Sequence, residues 1–150
     1  MLPRMKRRIL LQSISAAALV PAADLFASAK ETIGAAPDAS LVYELRVYHC
    51  FDGKLPDLHR RFREHTMKIF EKHGMKNIAY WTPMDEPQKS NTLYYIIAHP
   101  SREAAAANWK AFGEDPEWQA VQKASETNGK IVEKVDSTFL TLTDFSPALR

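Results

Sequence analysis

Residues Leu41 to Phe51, LVYELRVYHCF, restrict the fold more than any other stretch of the chain. Leu41, Tyr43, Leu45 and Val47 alternate with Val42, Glu44, Arg46 and Tyr48. Successive side chains of a strand point to opposite faces, so one face is mostly apolar and the other groups Glu44, Arg46 and Tyr48. Large side chains on both faces predict a sheet covered on both sides. An acid, a base and a phenol on a covered face need partners, because an unpaired buried charge is costly. Two readings follow: a structural ion network at a sheet or subunit interface, or one wall of a polar cavity.

The rest of the chain supplies the elements that this strand needs. Asp52-Gly53 turns the chain, and a helix is expected from Lys54 to His73, with Pro56 in its first turn and Gly74 as its cap. Leu58, Phe62, His65, Ile69 and His73 fall on one helical face, with Arg60, Arg61, Arg63 and Glu64 on the other. Lys76–Thr82 and Asn91–His99 read as an antiparallel hairpin joined by the polar loop 84–90. Trp81, Tyr94 and Tyr95 are expected to bury large area there. Ser101 caps a second helix that ends at Gly113, and Asp115-Pro116-Glu117 opens a third that stops at Asn128-Gly129. A last strand is expected over Val135–Asp144. The order β-α-β-β-α-(α)-β predicts an α+β, ferredoxin-like split βαβ fold: a four-stranded antiparallel sheet with helices on one face. The other face of a monomer stays open, and a homodimer packed sheet on sheet would cover it.

The N-terminal segment reads as an address rather than as part of the domain. Arg4, Lys6, Arg7 and Arg8 precede the short apolar run Ile9–Val20, and Ala27-Ser28-Ala29 is a small-residue cleavage site. Residues 1–29 therefore read as a signal peptide, 30–40 as a flexible lead-in and 41–147 as the domain. Arg7-Arg8-Ile9-Leu10-Leu11 also fits a twin-arginine signal, with an ordinary Sec signal as the alternative. The expected location is periplasmic or secreted, with no membrane span in the mature chain. Four basic residues and one acid fall in that segment, leaving 16 basic and 17 acidic residues and a net charge of −1. The basicity of the whole chain thus belongs to the signal, and nothing argues for nucleic acid.

Chemistry-bearing motifs are sparse. Cys50 is the single cysteine, so no intrachain disulfide forms, and its place near a strand end predicts a buried small hydrophobe. No histidine pair has the spacing of a helical metal site, no phosphate loop occurs, and no cofactor is implied. His65 lies within the apolar helix stripe, either as a hydrogen-bonded core residue or as a pocket acid–base, whereas His73 is explained by its place at the helix end.

Tyr43-Glu44-Leu45-Arg46-Val47-Tyr48, Glu64-His65 through His73-Gly74, Tyr80-Trp81-Thr82, Asn91 through Tyr95, Asp115-Pro116-Glu117-Trp118-Gln119 and Phe145-Ser146-Pro147 together resemble the NIPSNAP family, within the dimeric α+β barrel group. The resemblance spans about Val42 to Pro147. Tyr95 stands where the family often carries His, and His99 where Tyr is common. The resemblance implies a homodimer but no reaction. Related dimeric barrels include small monooxygenases, which is analogy at the level of fold. Two functions stay open. One is an exported homodimer binding a small hydrophobic or aromatic ligand, or a protein partner. The other is a cofactor-independent, monooxygenase-like oxidoreductase acting on an aromatic or quinone-like substrate. The ligand-binding candidates are Arg46, Tyr48, His65, Trp81 and Tyr95. In the oxidoreductase version His65 moves a proton, Arg46 stabilises oxyanion charge and the aromatics hold the substrate.

Overall fold

The computed structural model describes residues 41–147 and 149. The signal segment 1–29 and the lead-in 30–40 lie outside the described residues. Strand β1 spans Val42–Cys50, β2 Lys76–Trp81, β3 Thr92–His99 and β4 Val132–Leu140. They form one antiparallel sheet in the order β2-β3-β1-β4, with β1 and β3 in the middle. This is the expected α+β split βαβ architecture.

The helices are α1 (Leu55–Arg61), α2 (Met67–Lys72), the short α3 (Gln88–Asn91), α4 (Arg102–Glu114) and α5 (Pro116–Ser125). The ends of α4 and α5 follow from local chemistry. Ser101 Oγ accepts the Ala104 N–H at 3.1 Å, and Asp115 Oδ1 accepts the Glu117 N–H at 2.8 Å, with Pro116 next to it. Each bond satisfies one of the backbone donors that a helix start leaves unpaired. Gly74, with φ +73°, turns the chain from α2 into β2.

Alternation decides which sheet face meets the helices. Arg46 pairs with Tyr95 and Ser137, and Tyr48 with Leu93 and Val135, so these residues share a face. That face carries the core: Leu93, Tyr95 and Ile97 pack with Leu58, Phe62, Ile69, Phe70 and Phe112. Tyr95 is fully buried and stacks on Tyr80 with centroids 5.3 Å apart. The opposite face holds Leu45, Val47, Tyr94, Ile96, Trp81, Thr138 and Leu140. Trp81 and Leu140 are exposed there. The Glu44–Arg46–Tyr48 face is therefore the helix-covered one, and the apolar face of β1 is the open one.

Several sequence expectations are corrected. The helix after β1 is not one regular α-helix: Phe62–Thr66 forms a π-helical turn between α1 and α2. Met67 N–H reaches back to Phe62 O, and Thr66 Oγ1 donates to Arg61 O at 3.2 Å. The wider turn holds an extra residue, so the buried stripe runs Leu58, Phe62, Thr66, Ile69 and His65 swings outward. Arg61, expected on the polar face, is buried instead. Trp81, expected in the core, is 50% exposed because its register partner Tyr94 points to the open face. The loop 84–90 contains the start of α3. α4 runs through Gly113 to Glu114, and α5 stops at Ser125 rather than at Asn128. β4 begins at Val132 rather than Val135 and ends at Leu140, because Lys134 and Val132 continue the ladder beside His49 and Cys50, across a register shift at Glu133.

Candidate functional site

Two places in the domain concentrate chemistry. The first is a polar network under α4. Glu44 is almost fully buried, and its carboxylate accepts four hydrogen bonds. Trp109 Nε1 and Ser137 Oγ donate at 2.7 Å, Arg46 Nη1 at 2.7 Å, and His99 Nε2 at 3.1 Å. Burial alone would raise the pKa of this acid. The bonds from His99, Ser137, Trp109 and Arg46 outweigh burial and hold it down at about 2, against the ordinary 4.5. The Arg46 guanidinium lies 4.1 Å from the Trp109 ring centroid and 5.5 Å from that of Tyr48. Tyr95 Oη and His99 Nδ1 are buried without a hydrogen-bond partner among the described residues. Burial, reinforced by Tyr48, keeps the Tyr95 phenol protonated well above its usual range.

The second place is a groove at the β2 end of the sheet, in two joined parts. One, of about 290 Å³, is lined by His59, Phe62, Arg63, Met67, Tyr80, Trp81, Thr82 and Leu93. The other, of about 680 Å³, is lined by Gly53, Leu55, Pro56, His59, Thr82, Pro83, Met84, Lys89 and Ser90. His59 and Thr82 belong to both, with His59 Nε2 lying 3.4 Å from Thr82 Oγ1. Burial, and then the charge of Arg63, lower the His59 pKa below 6.5, so the imidazole is neutral at pH 7 with one donor and one acceptor. These volumes fall in the range of small-molecule sites, about 300–1,000 Å³.

Residues 43–147 match the NIPSNAP family model. The chain belongs to the NIPSNAP family. Among solved structures it is similar to an uncharacterized NIPSNAP-like domain protein from Burkholderia xenovorans, at 18% identity and TM-score 0.64, covering 75% of this chain and 93% of that one. It is also similar to a NIPSNAP family protein from Agrobacterium tumefaciens, at 23% identity and TM-score 0.62, covering 71% and 97%. A Nitrosomonas europaea protein named for the antibiotic biosynthesis monooxygenases shares the fold at 11% identity and TM-score 0.51, covering 72% and 95%. No curated protein matches the chain.

Within this NIPSNAP domain the five candidate residues do not converge on one site. Trp81 lines the groove. Tyr95 sits one ring behind it, stacked on Tyr80, and Tyr48 touches Phe62 at 5.9 Å between centroids. Arg46 lies deeper, bound to Glu44. His65 is exposed, in a separate cleft between α1 and α5, with its Nε2 3.9 Å from Glu64. The structure does not bring His65 and Arg46 together. Sequence reading missed Arg61, whose Nη1 reaches Ser125 and Glu126, each at 3.2 Å. It also passed over His59, which looks like a surface residue because its apolar neighbours arrive from β2 and the loop after it. Cys50 is buried, and burial pushes its thiol up to about 11 against a small opposing pull from Arg61, so it is a poor nucleophile at neutral pH. Among the described residues no group of three or more His, Cys, Asp or Glu could hold a metal ion, and no helix is long and apolar enough to cross a membrane.

Proposed function

We propose that this NIPSNAP-domain protein is an exported homodimer that binds a small hydrophobic or aromatic molecule in the groove beside β2. The observation that carries this reading is the groove's apolar wall of Phe62, Met67, Tyr80 and Leu93, with the half-exposed Trp81 at its edge, where β2 ends. A tryptophan left in solvent beside an apolar recess supports a contact surface, since large exposed apolar side chains that cluster mark interaction sites. The homodimer reading rests on the open sheet face, where Leu45, Val47, Ile96 and Leu140 lie together. Export rests on the signal-like sequence of residues 1–29. The oxidoreductase alternative needs His65 and Arg46 at one substrate, and their separation weighs against it.

The mature protein titrated with the neutral fluorophore N-phenyl-1-naphthylamine tests the groove. Saturable binding that Trp81→Ala reduces about tenfold supports it, and binding indifferent to Trp81 rejects it. Sedimentation of Ile96→Glu beside the parent tests the dimer: a parent dimer that becomes monomeric is expected, and a monomeric parent rejects that part.

A further inference from the structure

The two parts of the groove share a charge pattern that the other clefts lack. No acidic side chain lines either part, while Arg63 lines one and Lys89 the other. The cleft between α1 and α5 contains Asp57 and Glu64, that beside β4 contains Glu126 and Glu133, and that at the start of β2 contains Glu71. The buried cations elsewhere already have partners: Arg46 pairs with Glu44 and Arg61 with Glu126. In the groove the cations sit at the rim of an apolar trough with no lining carboxylate opposite them. His59 and Thr82 line both parts with an imidazole and a hydroxyl, and Arg63, whose charge acts on His59, adds a guanidinium to the smaller one. From there Leu55 and Met84 extend the apolar surface, and Met84 is 88% exposed.

We infer that the occupant is an anionic amphiphile, specifically a free long-chain carboxylate, with its head at Arg63, His59 and Thr82 and its chain along Leu55 and Met84. This rests on the groove being the binding site proposed above and adds the chemical class of the ligand. The head group follows from donor geometry. A guanidinium offers two parallel N–H bonds to a carboxylate, and the paired Thr82 hydroxyl and His59 ring, which share one proton between themselves, supply one further donor. The tail follows from the larger part of the trough, which is about 680 Å³ and mostly apolar in lining. A neutral ligand of the same shape would bury the same apolar area but leave the cationic rim unpaired, so charge is what separates the two.

The test is displacement of N-phenyl-1-naphthylamine from the mature protein by dodecanoate and by 1-dodecanol at pH 7.5, below the critical micelle concentration. Dodecanoate is expected to displace at a concentration about tenfold lower than dodecanol. Arg63→Met is expected to bring the ratio to about one, mainly by weakening dodecanoate, and Arg63→Lys to restore part of it. Arg63 is exposed, so the variant is expected to fold, which circular dichroism checks. Equal displacement by acid and alcohol in the parent overturns the inference and leaves the groove reading standing. A preference that survives Arg63→Met overturns the assigned head position. Displacement by phosphatidylglycerol vesicles but not by dodecanoate overturns the free acid in favour of a membrane surface. Failure of the fluorophore itself to bind removes the groove reading beneath it.

Discussion

The network under α4 and the groove beside β2 lie on either side of one aromatic layer, and they use polar groups in opposite ways. Glu44 has four donors and Arg46 is held between Glu44 and Trp109, so the strongest charges in the domain already face each other. The groove has weak polar groups, a neutral His59 and the Thr82 hydroxyl, set among apolar walls and unopposed cations. Strongly perturbed acids are often taken as marks of function, yet structural ion networks perturb acids as well. Here the perturbed acid lines none of the clefts described above, and the less perturbed imidazole does.

The comparison breaks most visibly at Glu44. Glu44→Ala leaves Arg46 and His99 buried without their anion, and removing one partner of a buried pair costs about 3–5 kcal/mol. Urea denaturation of the variant should show a loss of that size, while any folded fraction keeps its groove. Next in size is the acid limb. Because the folded pKa of Glu44 is about 2 and the ordinary value 4.5, the ionised carboxylate stabilises the fold above pH ~4.5, and that stability is lost as pH falls toward 2. The gap corresponds to about 3 kcal/mol for a fully buried group. Asp115, lowered by Lys72 and then His73, slopes the same way, so the measurement is the difference between parent and Glu44→Gln. The variant's stability should vary less between pH 5 and pH 2. Parallel curves would show that Glu44 is not held as an anion in the fold.

How much of this was legible in the sequence depends on whether local or long-range contacts decide a position. Capping chemistry is local, so Ser101 and Asp115-Pro116 announced their helices correctly. The grouping of Glu44, Arg46 and Tyr48 was also readable, because strand alternation is strict. Which face they would occupy was not, since that depends on whether α4 covers the side with Trp109 or the side with Leu45. His65 failed for a subtler reason. The sequence Phe62-Arg63-Glu64-His65-Thr66 is compatible with an ordinary α-turn, and the π-helical turn depends on how α1 and α2 each seat on the sheet. One extra residue in a turn exchanges His65 for Thr66 in the core. Arg61 was misjudged as solvent-facing and His59 passed over because their coverings come from α5 and from the segment after β2, both distant in sequence.

Trp81 sharpens the comparison from the groove side. Half of its surface is already exposed, so Trp81→Ala should cost about 1 kcal/mol or less in stability, well under the 3–5 kcal/mol of a buried aromatic. Its effect on ligand affinity should be the larger one, the reverse of Glu44→Ala. If Trp81→Ala unfolds the domain, the side chain belongs to a covered interface, and the sheet face rather than the groove is its site.

The smallest effects test the π-helical turn, which separates the groove from the cleft where His65 sits. Thr66→Val keeps the shape of a buried side chain but removes the hydroxyl that donates to Arg61 O. Losing that bond should cost about 1 kcal/mol. His65→Ala removes an exposed ring and should change stability by less than about 0.5 kcal/mol. It should also leave fluorophore binding unchanged, because His65 lines a different cleft. The pair distinguishes the two helix phases directly. In an unbroken α-helix His65 would sit in the core, so its truncation would cost more than the loss of the Thr66 hydroxyl. If His65→Ala proves the more costly substitution, the turn is α-helical in solution, and His65 returns to the buried stripe that the periodicity predicts.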